Sequence, residues 1–204
     1  MYRRAFLTGL PLALSACATK KTWATQDQIA LYSHQEEGPK YLTLYTMKNV
    51  RSGNGAHSAL LINASQRVIF DPAGSWEQKQ MPERHDVLFG ASPRLEAYYV
   101  SFHARETFYV IGQKVSVHPD VAEQALTLAL AAGPAPKANC SRYVSRLLHD
   151  LPGFSEIGLT WFPNNLADDF GHLPGVETKE YRETDSDDKD VAAYQIREAL
   201  SQNN

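Results

Sequence analysis

Cysteine is nearly absent from this chain: Cys17 and Cys140 are the only two among 204 residues. Neither a CxxC redox pair nor a thiolate zinc cage can be assembled from them. Excess charge of one sign is missing too. Twenty basic residues stand against 23 acidic ones, and Lys and Arg never run beyond a pair, so the basic footprint that nucleic acid needs is lacking and DNA and RNA are not expected partners. His34, His85, His103, His118, His149 and His172 show no HExxH or other ligand spacing, and no metal or cofactor is expected. Arg51-Ser52-Gly53-Asn54-Gly55 is a turn cluster and not a phosphate loop, since no Lys-Ser/Thr follows it. What remains, at 43% hydrophobic and 21% charged content, is the composition of one ordinary globular domain.

Residues 1–16 hold Arg3 and Arg4, no acid, and then a short apolar run from Ala5 to Ala16. That is the layout of an export signal, and the run is too short for a spanning helix of about 20 residues. Leu14-Ser15-Ala16-Cys17 resembles the bacterial lipobox, which implies diacylation of Cys17 and membrane attachment through lipid. Ala18 after it resembles lipoproteins sent to the outer membrane, so a periplasmic face of that membrane is the expected location. Tyr2-Arg3-Arg4-Ala5-Phe6-Leu7-Thr8 is similar to a twin-arginine signal, with Sec export as the alternative. Loss of residues 1–16 leaves 18 basic and 23 acidic residues, a net charge of −5. Cys140 then stands alone in an oxidising compartment, where an unpaired thiol is a flag for reactivity.

Residues 17–39 are polar and turn-rich and read as a lipidated tether; 40–175 read as the folded domain, and the Asp-rich 176–204 as an acidic, solvated tail with a marginal helix. Strands are expected at Tyr41 to Met47, His57 to Ile62 and Arg67 to Phe70. The last two form a hairpin around Asn63-Ala64-Ser65-Gln66 and are stopped by Asp71-Pro72-Ala73-Gly74. An irregular stretch from Ser75 to Pro93 precedes a second expected strand pair, Tyr98 to Phe102 and Thr107 to Ile111. Helices follow from Pro119 to Gly133, from Asn139 to Asp150, and from Pro163 to Phe170 with Asn164 as cap. Strands in one block and helices in another argue α+β, a mostly antiparallel sheet packed on a Cys-bearing helix.

The chemistry gathers at Cys140. It opens a helix whose Val144, Leu147 and Leu148 repeat on one stripe, so the thiol faces the sheet at the positive end of the helix. That position lowers a thiol pKa and favours the nucleophilic thiolate. A nucleophile needs a base, and the base needs a group that orients it. His57, opening a strand after a Gly-rich turn, is the candidate base; Asp71, closing the partner strand, falls opposite it or one residue off by counting from the hairpin. The plainer readings are a Cys that merely packs, an Asp that stabilises a turn and an Asn139 that caps a helix.

His57-Ser58-Ala59-Leu60-Leu61-Ile62, then Asp71, then Asn139-Cys140-Ser141-Arg142-Tyr143-Val144 and Phe162-Pro163-Asn164-Asn165-Leu166 together resemble the circularly permuted branch of the NlpC/P60 papain-like superfamily. That branch includes lecithin:retinol acyltransferase-like proteins and YiiX/YaeF-like lipoproteins. The resemblance implies a permuted papain-like fold with Cys140 as nucleophile, His57 as base and then acid, and Asp71 as the orienting residue. It also implies an oxyanion Tyr, for which Tyr45 is the candidate here, and an acidic third residue departs from the more usual His, Asn or Gln. The expected activity is a cysteine hydrolase acting through a thioester, with cell-wall peptides as substrate. Acyl transfer or cleavage of lipid esters, and an inactive binding lipoprotein, are the alternatives. Trp76, Trp161 and Phe162 are candidates for the cleft, or else for core and rim.

Overall fold

A computed structural model describes residues 23–202; the expected signal segment, the twin-arginine-like stretch, Cys17 and the last two residues lie outside it. The described chain is α+β. Its sheet has seven strands in the order β4-β5-β3-β2-β1-β6-β7, every neighbouring pair antiparallel. The strands are β1 Tyr41–Asn49, β2 Gly55–Asn63, β3 Arg67–Phe70, β4 Glu83–Arg84, β5 Val87–Phe89, β6 Phe108–Ser116 and β7 Glu177–Tyr181. Six helices accompany them: α1 Gln26–Tyr32, α2 Pro93–His103, α3 Pro119–Ala131, α4 Cys140–His149, α5 Pro163–Gly171 and α6 Lys189–Ser201.

Both faces of the sheet are covered, and strand alternation sorts the residues between them. Leu42, Leu44, Leu60 and Ile62 pack with Val144, Leu147 and Leu148 of α4 and with residues of α3 and α5. Tyr45, Met47, Ala59 and Leu61 pack with Tyr99 and Val100 of α2 and with Ile196 of α6. Each fully buried Leu, Ile or Val in these layers stabilises the fold by about 1.5–3 kcal/mol, which is why β1, buried on both sides from Tyr41 to Met47, sits mid-sheet.

Five expectations are corrected. Tyr98 to Phe102 is helix, not strand: Ser92 accepts the Leu95 N–H and Pro93 starts α2, while the buried Tyr99, Val100 and Phe102 mimic a strand in composition. The stretch from Ser75 to Pro93 carries two short strands, β4 at the edge of the sheet and β5 between it and β3. Of the expected tether, the described residues 23–39 fold onto the domain, because a Thr25/Gln28 capping box starts α1 and Ile29 enters the core. Residues 176–204 are not a free tail: β7 pairs with β6 from Glu177 to Tyr181, and α6 buries Ala192, Ile196 and Leu200. The cap of α5 is also displaced. Phe162 occupies that position with Pro163 next, and Asn164 Nδ2 instead donates to the Gly53 carbonyl at 3.2 Å, holding the β1–β2 turn.

Candidate active site

Cys140 is the first residue of α4 and is 6% exposed. The turn before it is tight, with Ala138 at φ +61° and the Asn139 N–H returned to Pro136. Asn139 holds the cap position, but its side chain caps nothing and donates to the Lys137 carbonyl at 3.0 Å. The Cys140 N–H thus remains one of the first-turn donors that α4 itself cannot satisfy.

His57 Nε2 lies 2.5 Å from Asp71 Oδ1, with the His57 side chain 18% exposed and Asp71 2%. The register explains the pair and corrects the count. Leu60 faces Phe70, so one step further Asp71 falls opposite Ala59, two residues from His57 and not one. Two residues is one full strand period, so both side chains emerge on the same face as diagonal neighbours. The third member arrives from the other face. Pairing between β2 and β3 begins only at Leu60, which leaves the Ser58 N–H without a strand partner on that side. The Cys140 sulfur lies near enough to that N–H and to the His57 ring for both to act on it electrostatically, with the Ser141 hydroxyl at 3.9 Å. With Nε2 held by Asp71, Nδ1 is the ring nitrogen left to serve the sulfur.

Electrostatics follow from this chain of contacts. Burial pushes the Cys140 thiol up, but the His57 hydrogen bond and charge, with the Ser58 N–H and the Ser141 hydroxyl, bring it down to about 7. Burial pushes His57 down, yet the Asp71 charge and hydrogen bond, with the sulfur beyond, raise it to about 10. Asp71 is held below the ordinary carboxylate range because His57, His103 and Tyr99 outweigh its burial. Near neutral pH the site therefore holds a thiolate against an imidazolium.

Three supporting residues escape a reading of the sequence. His103 stacks on His57 with ring centroids 6.3 Å apart and planes at 16°. Its Nδ1 donates to the Tyr99 carbonyl at 2.8 Å, and burial lowers it to about 4, so a neutral ring backs the charged one. The Ser–Pro helix start at Ser92-Pro93 was the available signal, because in a helix Tyr99 and His103 share one face. Ser58 and Ser141, whose hydroxyls meet at 3.0 Å beneath the sulfur, carry no sequence signal at all.

Tyr45 does not serve the site as a free donor. Its hydroxyl is given to Glu96 Oε1, and burial drives its pKa far above the usual value. Trp76 is core, packed on Tyr99 and Phe102, whereas Trp161 and Phe162 are exposed. Phe162 precedes Pro163, which lies so close to Gly55 that a Cβ there would overlap it. The aromatic pair thus sits at the rim near the start of β2.

Gly74 approaches the Asp71 carboxylate so closely that any Cβ would overlap it. Gly74→Ala is expected to displace that carboxylate from His57 and move the pH profile of Cys140 alkylation to the alkaline side, with little change in circular dichroism; an unchanged profile would show that Asp71 tolerates the shift. Beside His57 lies a cavity of about 190 Å³, with Phe102, His103 and Phe108 in its wall. Among the described residues no cluster of three His, Cys, Asp or Glu is placed to hold a metal ion. Comparisons of the chain with protein-family models, with curated proteins and with solved structures find no match.

Proposed function

We propose that this chain is a cysteine hydrolase of permuted papain-like architecture, anchored by lipid on Cys17 at the periplasmic face of the outer membrane. The observation that carries the reading is the continuous contact from Asp71 through His57 to the Cys140 sulfur at a helix N-terminus. The order of the parts, a His-bearing strand before a Cys-bearing helix on an antiparallel sheet, supports the permuted arrangement. The Cys140 thiolate attacks the carbonyl carbon of an amide. The resulting oxyanion is met by the Cys140 N–H, aligned with the positive end of α4. His57 then delivers its proton to the leaving nitrogen, and the C–N bond breaks to leave a thioester on Cys140. A water molecule, losing its proton to His57, attacks the thioester; the C–S bond breaks, the acid departs and the thiolate–imidazolium pair is restored.

Peptide amides of the cell wall fit this compartment and chemistry as substrate. The second reading, acyl transfer or cleavage of lipid esters, draws on the exposed Leu159, Trp161 and Phe162 at the rim. Muropeptides and phospholipid esters offered to the full chain in parallel separate the two, with an acyl adduct on Cys140 found by mass spectrometry as the common mark. No turnover and no adduct with either would leave a binding lipoprotein.

The pH dependence has a definite sign. The nucleophile forms as pH rises through about 7, and the acid form of His57 is lost as pH rises through about 10. Turnover is expected to climb through neutrality, hold a plateau and fall in strong alkali, measured as kcat/KM against pH. A profile that keeps rising past pH 10 contradicts the ion-pair assignment.

A further inference from the structure

The cavity beside His57 is apolar along most of its wall and charged at one end, where two cations outnumber the one carboxylate, Asp187, whose Oδ1 already accepts from the Thr107 N–H at 3.1 Å. Met47, Phe102 and Phe108 form the apolar part, while Arg105 comes from the turn between α2 and β6 and Lys189 from the first residue of α6. Arg105 is 5% exposed, and its guanidinium is poorly satisfied. Nε has no hydrogen-bond partner, and the one ion pair, from Nη1 to Asp185, spans 3.6 Å to a carboxylate that is itself 62% exposed. An arginine cannot relieve such burial by losing its proton. Lys189 is more exposed: its Nζ stands over the Phe102 ring at 4.7 Å and donates to the Ser75 hydroxyl at 3.4 Å, with the Asp71 carboxylate the anion that acts on it. A buried cation whose one ion pair is long and whose partner carboxylate is mostly in solvent is retained at a cost in stability, so a ligand that completes it is favoured.

We infer that this cavity is a carboxylate subsite, in which Arg105 and Lys189 receive an acidic side chain of a peptide substrate while the apolar wall holds the segment leading to the reacting carbonyl. Arg105 supplies the planar fork that matches a carboxylate, and Lys189 adds a second, mobile charge. Asp185 is the resident competitor. Its backbone is tied down, with its carbonyl accepting from the Glu106 N–H at 3.0 Å, and Asp187 Oδ1 accepting from the Thr107 N–H at 3.1 Å. Its side chain is free to leave Arg105 when a substrate carboxylate arrives. The C-terminal segment, which the composition alone marks as a solvated tail, thus forms one wall of the subsite and supplies its stand-in anion. The substrate half of this inference rests on the hydrolase reading; the carboxylate subsite itself does not.

Calorimetry on full-length Cys140→Ala protein, which binds without turnover, measures acetyl-Ala-Glu-amide against its isostere acetyl-Ala-Gln-amide. The Glu peptide is expected to bind about tenfold more tightly. Arg105→Gln removes the preference, Lys189→Met reduces it, and Asp185→Asn tightens the Glu peptide without affecting the Gln peptide. Equal affinities, a Glu preference that survives both Arg105→Gln and Lys189→Met, or no binding of the Glu peptide at millimolar concentration overturns the inference. If Arg105→Gln fails to fold by circular dichroism, Lys189→Met and Asp185→Asn decide the matter alone. Turnover of both peptides by the unmutated protein separates the two layers: a Glu preference in binding without turnover keeps the subsite and removes the hydrolase, and turnover without preference does the reverse.

Discussion

His57→Ala is expected to slow alkylation of Cys140 by iodoacetamide more than about tenfold near neutral pH, and to lower turnover by roughly 10²–10⁴-fold. The thiol stands at about 7 only because the His57 hydrogen bond and charge overcome its burial. Without the ring, burial is opposed by the Ser58 N–H and the Ser141 hydroxyl alone, and the thiol returns toward or above its ordinary value of about 8.5. The alkylation rate plotted against pH therefore shifts to the alkaline side by more than one unit. Identical profiles for the two proteins would mean that sulfur and imidazole are not coupled, and the nucleophile assignment would fall with that result. Asp71→Asn provides the graded control. It keeps shape but removes the charge that contributes to raising His57, so its profile is expected to lie between the other two.

Arg67→Ala is expected to cost about 3–5 kcal/mol, read as a fall of roughly 10 °C in thermal midpoint. Arg67 is 1% exposed at the start of β3, where it pairs with Glu96 of α2 and with Glu36, and donates to the Tyr41 hydroxyl at 2.9 Å. Its Nη1 also donates to the Ala91 carbonyl just before α2. Truncation leaves the Glu96 carboxylate, which also accepts from Tyr45, without its cation. In a double-mutant cycle, Arg67→Met combined with Glu96→Gln is expected to cost less than the sum of the two single changes, since the second removes the orphaned charge. Additive costs would show that the two groups act independently. The network matters beyond stability because Glu96 lies one turn before Tyr99 and two turns before His103 on α2, so it helps set the helix that backs His57.

Local rules carried a large part of this molecule. The Asn63-Ala64-Ser65-Gln66 connection and the apolar strands on either side of it were sufficient to place β2 and β3, and with them His57 and Asp71 on neighbouring strands. The stripe of Val144, Leu147 and Leu148 placed Cys140 at the sheet-facing start of α4. These features depend on hydrogen bonds and side-chain periods that close within a few residues, and such interactions are written in consecutive sequence. The failures have a common origin. Tyr98 to Phe102 has the composition of a strand, and a helix could be told from a strand only through the Ser92-Pro93 start or through the face it buries. The Asp-rich C-terminal segment looks solvated because its charges dominate its composition, while only three residues anchor α6, Ala192, Ile196 and Leu200, spaced four apart along one face.

By itself the sequence determined the α+β class, the hairpin that brings His57 and Asp71 together and the helix that begins at Cys140. Only the tertiary structure decided that the imidazole and the thiol approach from opposite faces of the sheet, through the gap where β3 leaves β2, and that His103, Arg105 and Lys189 border the same cavity. The physical reason is range. Periodicity and capping are settled among neighbours along the chain, whereas the meeting of β2, α2, α4 and α6 is settled by which apolar faces can be buried together, and no short stretch of sequence contains that information.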